Sequence, residues 1–307
     1  MKKTLYLLLI APLLLFSCKK EHSVPPVIHS PKLYRVAFNI ANFQQQVKAF
    51  AIKQHANSLD VNSLTSPGAF LDVLYYVVFD SNQNPVKEKY QDSTMSNMGM
   101  ITDSLPAGNY SITIVVGKKG LQIRTDLGPE SYFYYPHNYW QDTFFGSFPL
   151  TVGTENISQD VTLNRTVGKL EVELLDNTLP ATVDSLIVTV YSTNAYKSLV
   201  DGSSYNFPSA TVTHSFPIPA SAKSKPGFTV DMILKTSDTY ITIGWKDSNN
   251  KLTVIANTGD VDIIANQTLA MSGYLIPADQ APQTFVVKAD TAWNSTPNQQ
   301  SFSLRRH

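Results

Sequence analysis

Between Gly168 and Leu175 the side chains of Leu170, Val172 and Leu174 alternate with those of Lys169, Glu171 and Glu173. A period of two is met by an extended strand with one buried face and one wet face, whereas a helix would scatter these apolar groups around its circumference. Strands of this kind build antiparallel sandwiches, whose sheets pack on one side only. The chain repeats the theme from Leu33 onward. Short runs of Val, Ile, Thr, Tyr and Phe are broken by clusters of Gly, Pro, Asn, Asp and Ser, the pattern of an all-β protein. In the first half it predicts strands at Leu33–Ile40, Phe70–Phe79, Tyr110–Val116 and Ile157–Leu163. Gly168–Leu175, Ser185–Tyr191, Phe228–Leu234, Thr239–Trp245, Lys251–Ala256 and Gln267–Ile276 follow. No long amphipathic helix is visible, although Phe43–Leu59 has room for a short one.

Two turns resemble each other. Phe79 runs into Asp80-Ser81-Asn82-Gln83-Asn84, and Trp245 runs into Lys246-Asp247-Ser248-Asn249-Asn250. Asx residues favour turns, so both read as hairpin tips, and their likeness hints at two similarly built domains. The length also fits two domains. The expected organisation is a leader at 1–17, a tether at 18–32, an N-terminal β-sandwich at 33–166 and a C-terminal one at 167–307.

The leader has a basic head, Lys2-Lys3, an apolar run from Leu5 to Phe16, and a small-residue exit at Ser17-Cys18. That order makes a secretion signal. The run falls well short of the roughly 20 residues a membrane-spanning helix needs, so no transmembrane helix is expected in the mature protein. Leu15-Phe16-Ser17-Cys18 resembles the lipobox of bacterial lipoproteins, in which the cysteine is lipidated and becomes residue one. Cys18 is the only cysteine in the chain and so has no disulfide partner. The lipidated residue would carry a thioether-linked diacylglycerol and an amide-linked acyl chain, each buried methylene contributing about 0.8 kcal/mol to membrane attachment. Lys19 to Pro31 contains three prolines and little to bury, the make-up of a tether.

Charge narrows the function. Lys plus Arg and Asp plus Glu number 24 each, and cleavage of the leader would remove Lys2 and Lys3, leaving a slightly acidic chain. The basic excess of a nucleic-acid binder is missing. The six histidines are scattered without zinc-ligand spacing, the chain has no Gly-x-Ser-x-Gly elbow or Gly-rich phosphate loop, and a lipidated cysteine is no nucleophile. Carboxylates paired only in space would be invisible at this level. Asp80, Asn82 and Asn84 occupy alternate positions as in a calcium loop, but Pro85 and Gln91 stand where a Gly and a bidentate Glu belong; a plain hairpin turn is expected. Asp260 and Asp262 read as solvent-facing. No enzyme, metal or cofactor is expected.

The most unusual local feature is aromatic: Tyr132, Phe133, Tyr134, Tyr135, Tyr139, Trp140, Phe144 and Phe145 lie close together. Tyr and Trp offer large amphipathic contact area, which makes Tyr134, Tyr135, Tyr139 and Trp140 interface or ligand candidates. The alternative is a long irregular connection pinned to the sandwich by burying its rings.

Four pieces in order resemble one family. These are Leu74-Tyr75-Tyr76-Val77-Val78-Phe79-Asp80, Leu105-Pro106-Ala107-Gly108-Asn109-Tyr110, Phe144-Phe145-Gly146-Ser147, and Val161-Thr162-Leu163-Asn164-Arg165-Thr166-Val167-Gly168-Lys169-Leu170. Behind a lipobox, their order and spacing resemble the fimbrillin-like anchor lipoproteins of Bacteroidetes, over about Leu33 to Asp176. In the second piece Pro106 fixes a turn and Gly108 permits a positive φ. The resemblance implies two transthyretin-like antiparallel β-sandwich domains in tandem. It implies an outer-membrane lipoprotein at the cell surface that anchors a fimbrium or limits its length, with fimbrial shaft subunits as partners through strand donation. It implies no small-molecule substrate. An anchor would keep its first strand, Leu33–Ile40, uncut after Arg35. The segment Thr284–His307 is either a last strand or a donor strand. Asp92-Ser93-Thr94, Asp103-Ser104-Leu105, Asp184-Ser185-Leu186 and Asp290-Thr291-Ala292 resemble O-glycosylation acceptors of this bacterial group. The rival reading is a surface glycan-binding lipoprotein of a carbohydrate-uptake system, which shares the anchor, the sandwiches and exposed aromatics.

Overall fold

The computed structural model describes residues 31–44, 71–192, 196–205, 210–276 and 285–290. Cys18, the leader, most of the tether, and nearly all of Phe43–Leu59 lie outside the described residues. The first half contributes β1 (Leu33–Gln44), β2 (Val73–Phe79), β3 (Pro85–Asp92), β4 (Met100–Pro106), β5 (Gly108–Gly117), β6 (Gln122–Arg124), β7 (Tyr132–Tyr134), β8 (Thr143–Val152) and β9 (Ile157–Arg165). The second contributes β10 (Val167–Leu174), β11 (Val183–Ser192), β12 (Lys197–Ser198), β13 (Ala210–Pro217), β14 (Phe228–Lys235), β15 (Ser237–Asp247), β16 (Leu252–Ile263), β17 (Thr268–Gly273) and β18 (Val286–Asp290).

In the first half one seven-stranded sheet runs β3-β2-β5-β8-β9-β1-β4. It folds over between β8 and β9, so that Val36, Phe38 and Ile40 of β1 share a core with Leu74, Tyr76 and Val78 of β2 and Ile112, Ile114 and Val116 of β5. Each such side chain contributes about 1.5–3 kcal/mol by leaving water. In the second half the sheets β13-β11-β15-β16 and β14-β10-β17-β18 enclose Leu170, Val172, Leu174, Leu186, Val188, Val190, Ile241 and Ile243. The alternation that opened the sequence is realised in β10: Leu170, Val172 and Leu174 are buried, while Lys169, Glu171 and Glu173 are half-buried.

The two halves repeat one topology. The first strand lies between the last core strand, parallel to it, and the fourth, antiparallel to it: β1 between β9 and β4, β10 between β17 and β14. The second strand lies between the third and fifth, and the sixth flanks the fifth, giving β3-β2-β5-β8 and β13-β11-β15-β16. The sheets are thus antiparallel except for one parallel pair in each half. The two Asx turns match as well. Asp80 Oδ1 accepts from the N–H groups of Asn82 and Asn84, and Asp247 Oδ1 from those of Asn249 and Lys251. Gln83 at φ 63° and Asn250 at φ 64° take the left-handed step.

Several strands are not anticipated by the sequence pattern. β3 has no apolar face, β4 and β13 are edge strands, and β8 is interrupted by Gly146 and Pro149. Val286–Asp290 adds as β18 beside β17; residues beyond 290 are outside the described set.

A third core joins the halves. The outer face of β2, β5 and β8 is covered by the three-stranded sheet β12-β7-β6, in which β12 belongs to the second half. Val73, Val77, Phe79, Val115, Phe133, Trp140 and Phe145 pack there with Val167 and Leu199. At its margin Arg165 binds both carboxylate oxygens of Asp142 at 2.8 and 3.0 Å and the Asn266 side-chain oxygen at 3.1 Å, with its guanidinium 5.0 Å from the Phe144 ring centre. The Arg165 side chain is fully buried. Asn266 in turn donates its backbone N–H to Val167 O at 2.7 Å.

Candidate functional site

Strand β1 is paired on both sides. Leu33 to Asn39 pair with Pro106 to Met100 on one side, and Val36 to Gln44 run beside Ile157 to Asn164 on the other. Val36, Phe38 and Ile40 point into the core. Arg35 is exposed, but its backbone N–H donates to Asn156 Oδ1 at 3.0 Å and it faces Ser104 on β4. A protease that reads an extended chain can therefore reach the Arg35–Val36 bond only if β1 leaves its neighbours.

The edge where β3 meets β4 closes in an unusual way. These strands stand at opposite ends of the sheet order, yet three side chains two residues apart reach from β3 to successive alternate carbonyls of β4. Gln91 Nε2 donates to Met100 O at 2.9 Å, Lys89 Nζ to Thr102 O at 2.5 Å and Lys87 Nζ to Ser104 O at 2.6 Å. Asp103 receives Lys87 at 2.9 Å and Lys89 at 3.2 Å. Burial opposes ionisation of Asp103, but hydrogen bonds from Lys87, the Ser104 backbone and Lys89 outweigh it and hold the carboxyl below its usual range. Burial, and then the Asp103 charge, keep the Tyr76 phenol well above its own.

The aromatic cluster divides. Tyr135 and Trp140 are buried in the third core, their rings 5.6 Å apart and edge-on, with Phe133 stacked on Phe145 beside them. The Tyr135 hydroxyl accepts from Lys118 N at 2.9 Å, and burial pushes its phenol up to about 12. Tyr134 is half-buried and meets Tyr196 edge-on at 5.3 Å. Tyr139 is 46% exposed and lies edge-on to His214 at 5.0 Å. The structure brings Tyr135 and Trp140 together; Tyr134 and Tyr139 lie outside that core. Of the acceptor-like triplets, Ser93 is exposed, Ser104 half-buried and Ser185 buried, and Thr291 is outside the described residues.

Two lysines invisible to sequence reasoning sit in the joint between the halves. Lys197 and Lys235 are 5% and 4% exposed. Lys197 Nζ donates to Thr236 Oγ1 at 2.8 Å and Gly202 O at 3.3 Å. Burial pushes Lys197 down to about 8, and burial together with the Lys197 charge pushes Lys235 down to about 7. Among the described residues no group of three His, Cys, Asp or Glu side chains could hold a metal ion.

No family profile and no curated protein matches this chain. Solved structures match its fold. The fimbrial anchor protein Mfa2 from Porphyromonas gingivalis shares 10% identity, with 89% of this chain and 100% of that one covered at a TM-score of 0.56. A candidate adhesin from Bacteroides ovatus shares 11%, covering 88% and 95% at 0.54. A candidate polysaccharide-binding protein from Bacteroides thetaiotaomicron shares 12%, covering 87% and 98% at 0.52. The chain has the fold of Bacteroidetes fimbrial anchor and adhesin proteins.

Proposed function

We propose that this chain is a non-enzymatic structural subunit of a fimbrium-like assembly, held in the outer membrane by lipid on Cys18 and joined to shaft subunits by strand donation. One observation carries the anchor role: β1, the strand nearest the tether, is locked in mid-sheet between β4 and β9 with three side chains in the core. A chain tied to a membrane at its N-terminus stays attached to its own fold only if that strand is retained. The sequence resemblance and the shared fold with a fimbrial anchor support the same reading. In strand donation an extended segment of one subunit completes the sheet of another, main-chain hydrogen bonds giving affinity and alternate side chains giving specificity.

The test is a pull-down of tagged protein from outer membranes, with the mature N-terminus and the co-purified proteins identified by mass spectrometry. Lipidated Cys18 at the N-terminus together with fimbrial subunits is the expected result. An N-terminus at Val36 would end the anchor role, and a transporter with glycan hydrolases in place of fimbrial subunits would end the fimbrial one.

A further inference from the structure

The start of β8 and the end of β9 form an antiparallel pair at Phe144↔Arg165 and Phe145↔Asn164, where their pairing stops. Beyond that β8 follows β5 while β9 turns away to run beside β1. The fork is tight at its base: a Cβ on Gly146 would stand 2.7 Å from Leu163 Cδ2. It then opens into a cleft of about 600 Å³, within the range that holds small organic ligands.

A third wall comes from the second half of the chain, in the loop after β12. Val200 and Asp201 line the cleft, and their backbone N–H groups donate to Ser198 Oγ at 3.0 and 3.3 Å. Gly202, at φ 74°, lies so close to the Phe145 ring that a Cβ would stand 2.8 Å away. The loop is thus fixed before any ligand arrives.

The cleft does not suit an added strand. Pro149 sits in β8 opposite Ser111 of β5, and a proline inside a sheet has no N–H to give, so its blank side belongs on the free edge. That edge is blunted against pairing.

What the cleft offers is polar. Asp160 and Asp201 bring carboxylates, Gln159 and Asn164 amides, and Thr162 a hydroxyl, with the half-buried Phe148 as an aromatic wall and no cationic side chain in the lining. Asp160 spends one oxygen, Oδ1, on Asn39 Nδ2, and Asp201 spends its Oδ1 on Ser203 N; carboxylate and amide oxygens have further acceptor capacity. Asp201 interacts through charge with the buried Lys197, Asp160 repels anions, and acceptors beside an aromatic face suit a ligand rich in hydroxyl donors and C–H faces. We infer that the β8/β9 cleft is a binding site for a neutral saccharide of about disaccharide size.

The test uses full-length protein purified in a detergent without a sugar headgroup. Cellobiose, maltose, lactose and mannobiose are screened by saturation-transfer NMR and calorimetry, with glucuronic acid and inorganic phosphate as anionic contrasts. At least one neutral disaccharide is expected to bind while the anions do not, with affinity falling ten-fold or more in Asn164→Ala and in Thr162→Trp, which fills the cleft from an exposed position. A binding-silent variant must keep the parent's melting temperature to count. No transfer from any of the four disaccharides, preference for the anions, or undiminished binding in both folded variants would overturn the site.

Discussion

The two halves of this protein are built to one plan and finished differently. Strand order, parallel pair and Asx turn recur, but the first half is one seven-stranded sheet joined through β8 and β9, whereas the second is two separate four-stranded sheets. A glycine permits a close approach in each. Gly146 lets β8 approach the Leu163 side chain, whereas Gly168 lets β10 approach backbone, where an added Cβ would stand 2.6 Å from Ile264 O and 3.3 Å from Gln267 O. Topology fixes which strands are neighbours; side-chain volume and backbone approach at a few positions decide how closely they pack.

The comparison can be broken at its hinge. Arg165→Met removes the guanidinium that ties Asp142 in the first half to Asn266 in the second, and leaves a largely buried carboxylate without its partner. Such losses cost about 3–5 kcal/mol. Urea denaturation should register that loss. A cost below about 1 kcal/mol would mean that the apolar third core alone holds the halves together.

The joint can also be titrated. The folded protein lowers the affinity of Lys197 and Lys235 for protons, whereas in the unfolded chain lysine titrates near pH 10.4. The unfolded state therefore binds more protons between the two values, and stability rises with pH. The gain begins as pH passes about 7 and 8 and is lost as pH falls back through those values. The melting temperature should climb between pH 7 and 9.5, and Lys235→Met should flatten the climb. A flat profile in the parent protein would show that both ammonium groups stay charged in the fold.

The smallest change sharpens the contrast between the two close approaches. Gly168→Ala meets unyielding carbonyl oxygens and Gly146→Ala meets the flexible end of Leu163 first, so the former should cost more, within the 1–3 kcal/mol typical of overpacking. Gly153→Ala, with nothing within 4 Å of its Cβ, is the control. Equal melting temperatures for the Gly146 and Gly168 variants would remove the proposed difference between the two approaches.

What could be read in advance follows from where the information lies. β10 was legible because its own eight residues carry a buried face and a wet one. β3 was not, because Lys87, Lys89 and Gln91 serve carbonyls on β4 that only the closed sandwich brings near. β8 was hidden by Gly146 and Pro149, each required by a neighbour distant in sequence or by a free edge. The aromatic cluster stood out by composition, but burial of Tyr135 and Trp140 depends on the cover that β12 helps to form from the other half. The buried lysines had no local sign at all, since lysine ordinarily marks solvent. The cleft is a property of two strands parting, and no residue spells it.

The parallel pairing of β1 with β9 has a mechanical consequence. β9 passes into β10 with only Thr166 between them. A pull that enters at Leu33 and leaves through the second half acts on opposite ends of two strands that run side by side in the same direction. The load slides them along their length, so their hydrogen bonds share the tension together instead of parting one after another. β10 and β17 meet in the same sense. A fold of this kind resists being drawn out lengthwise far better than being peeled from an edge.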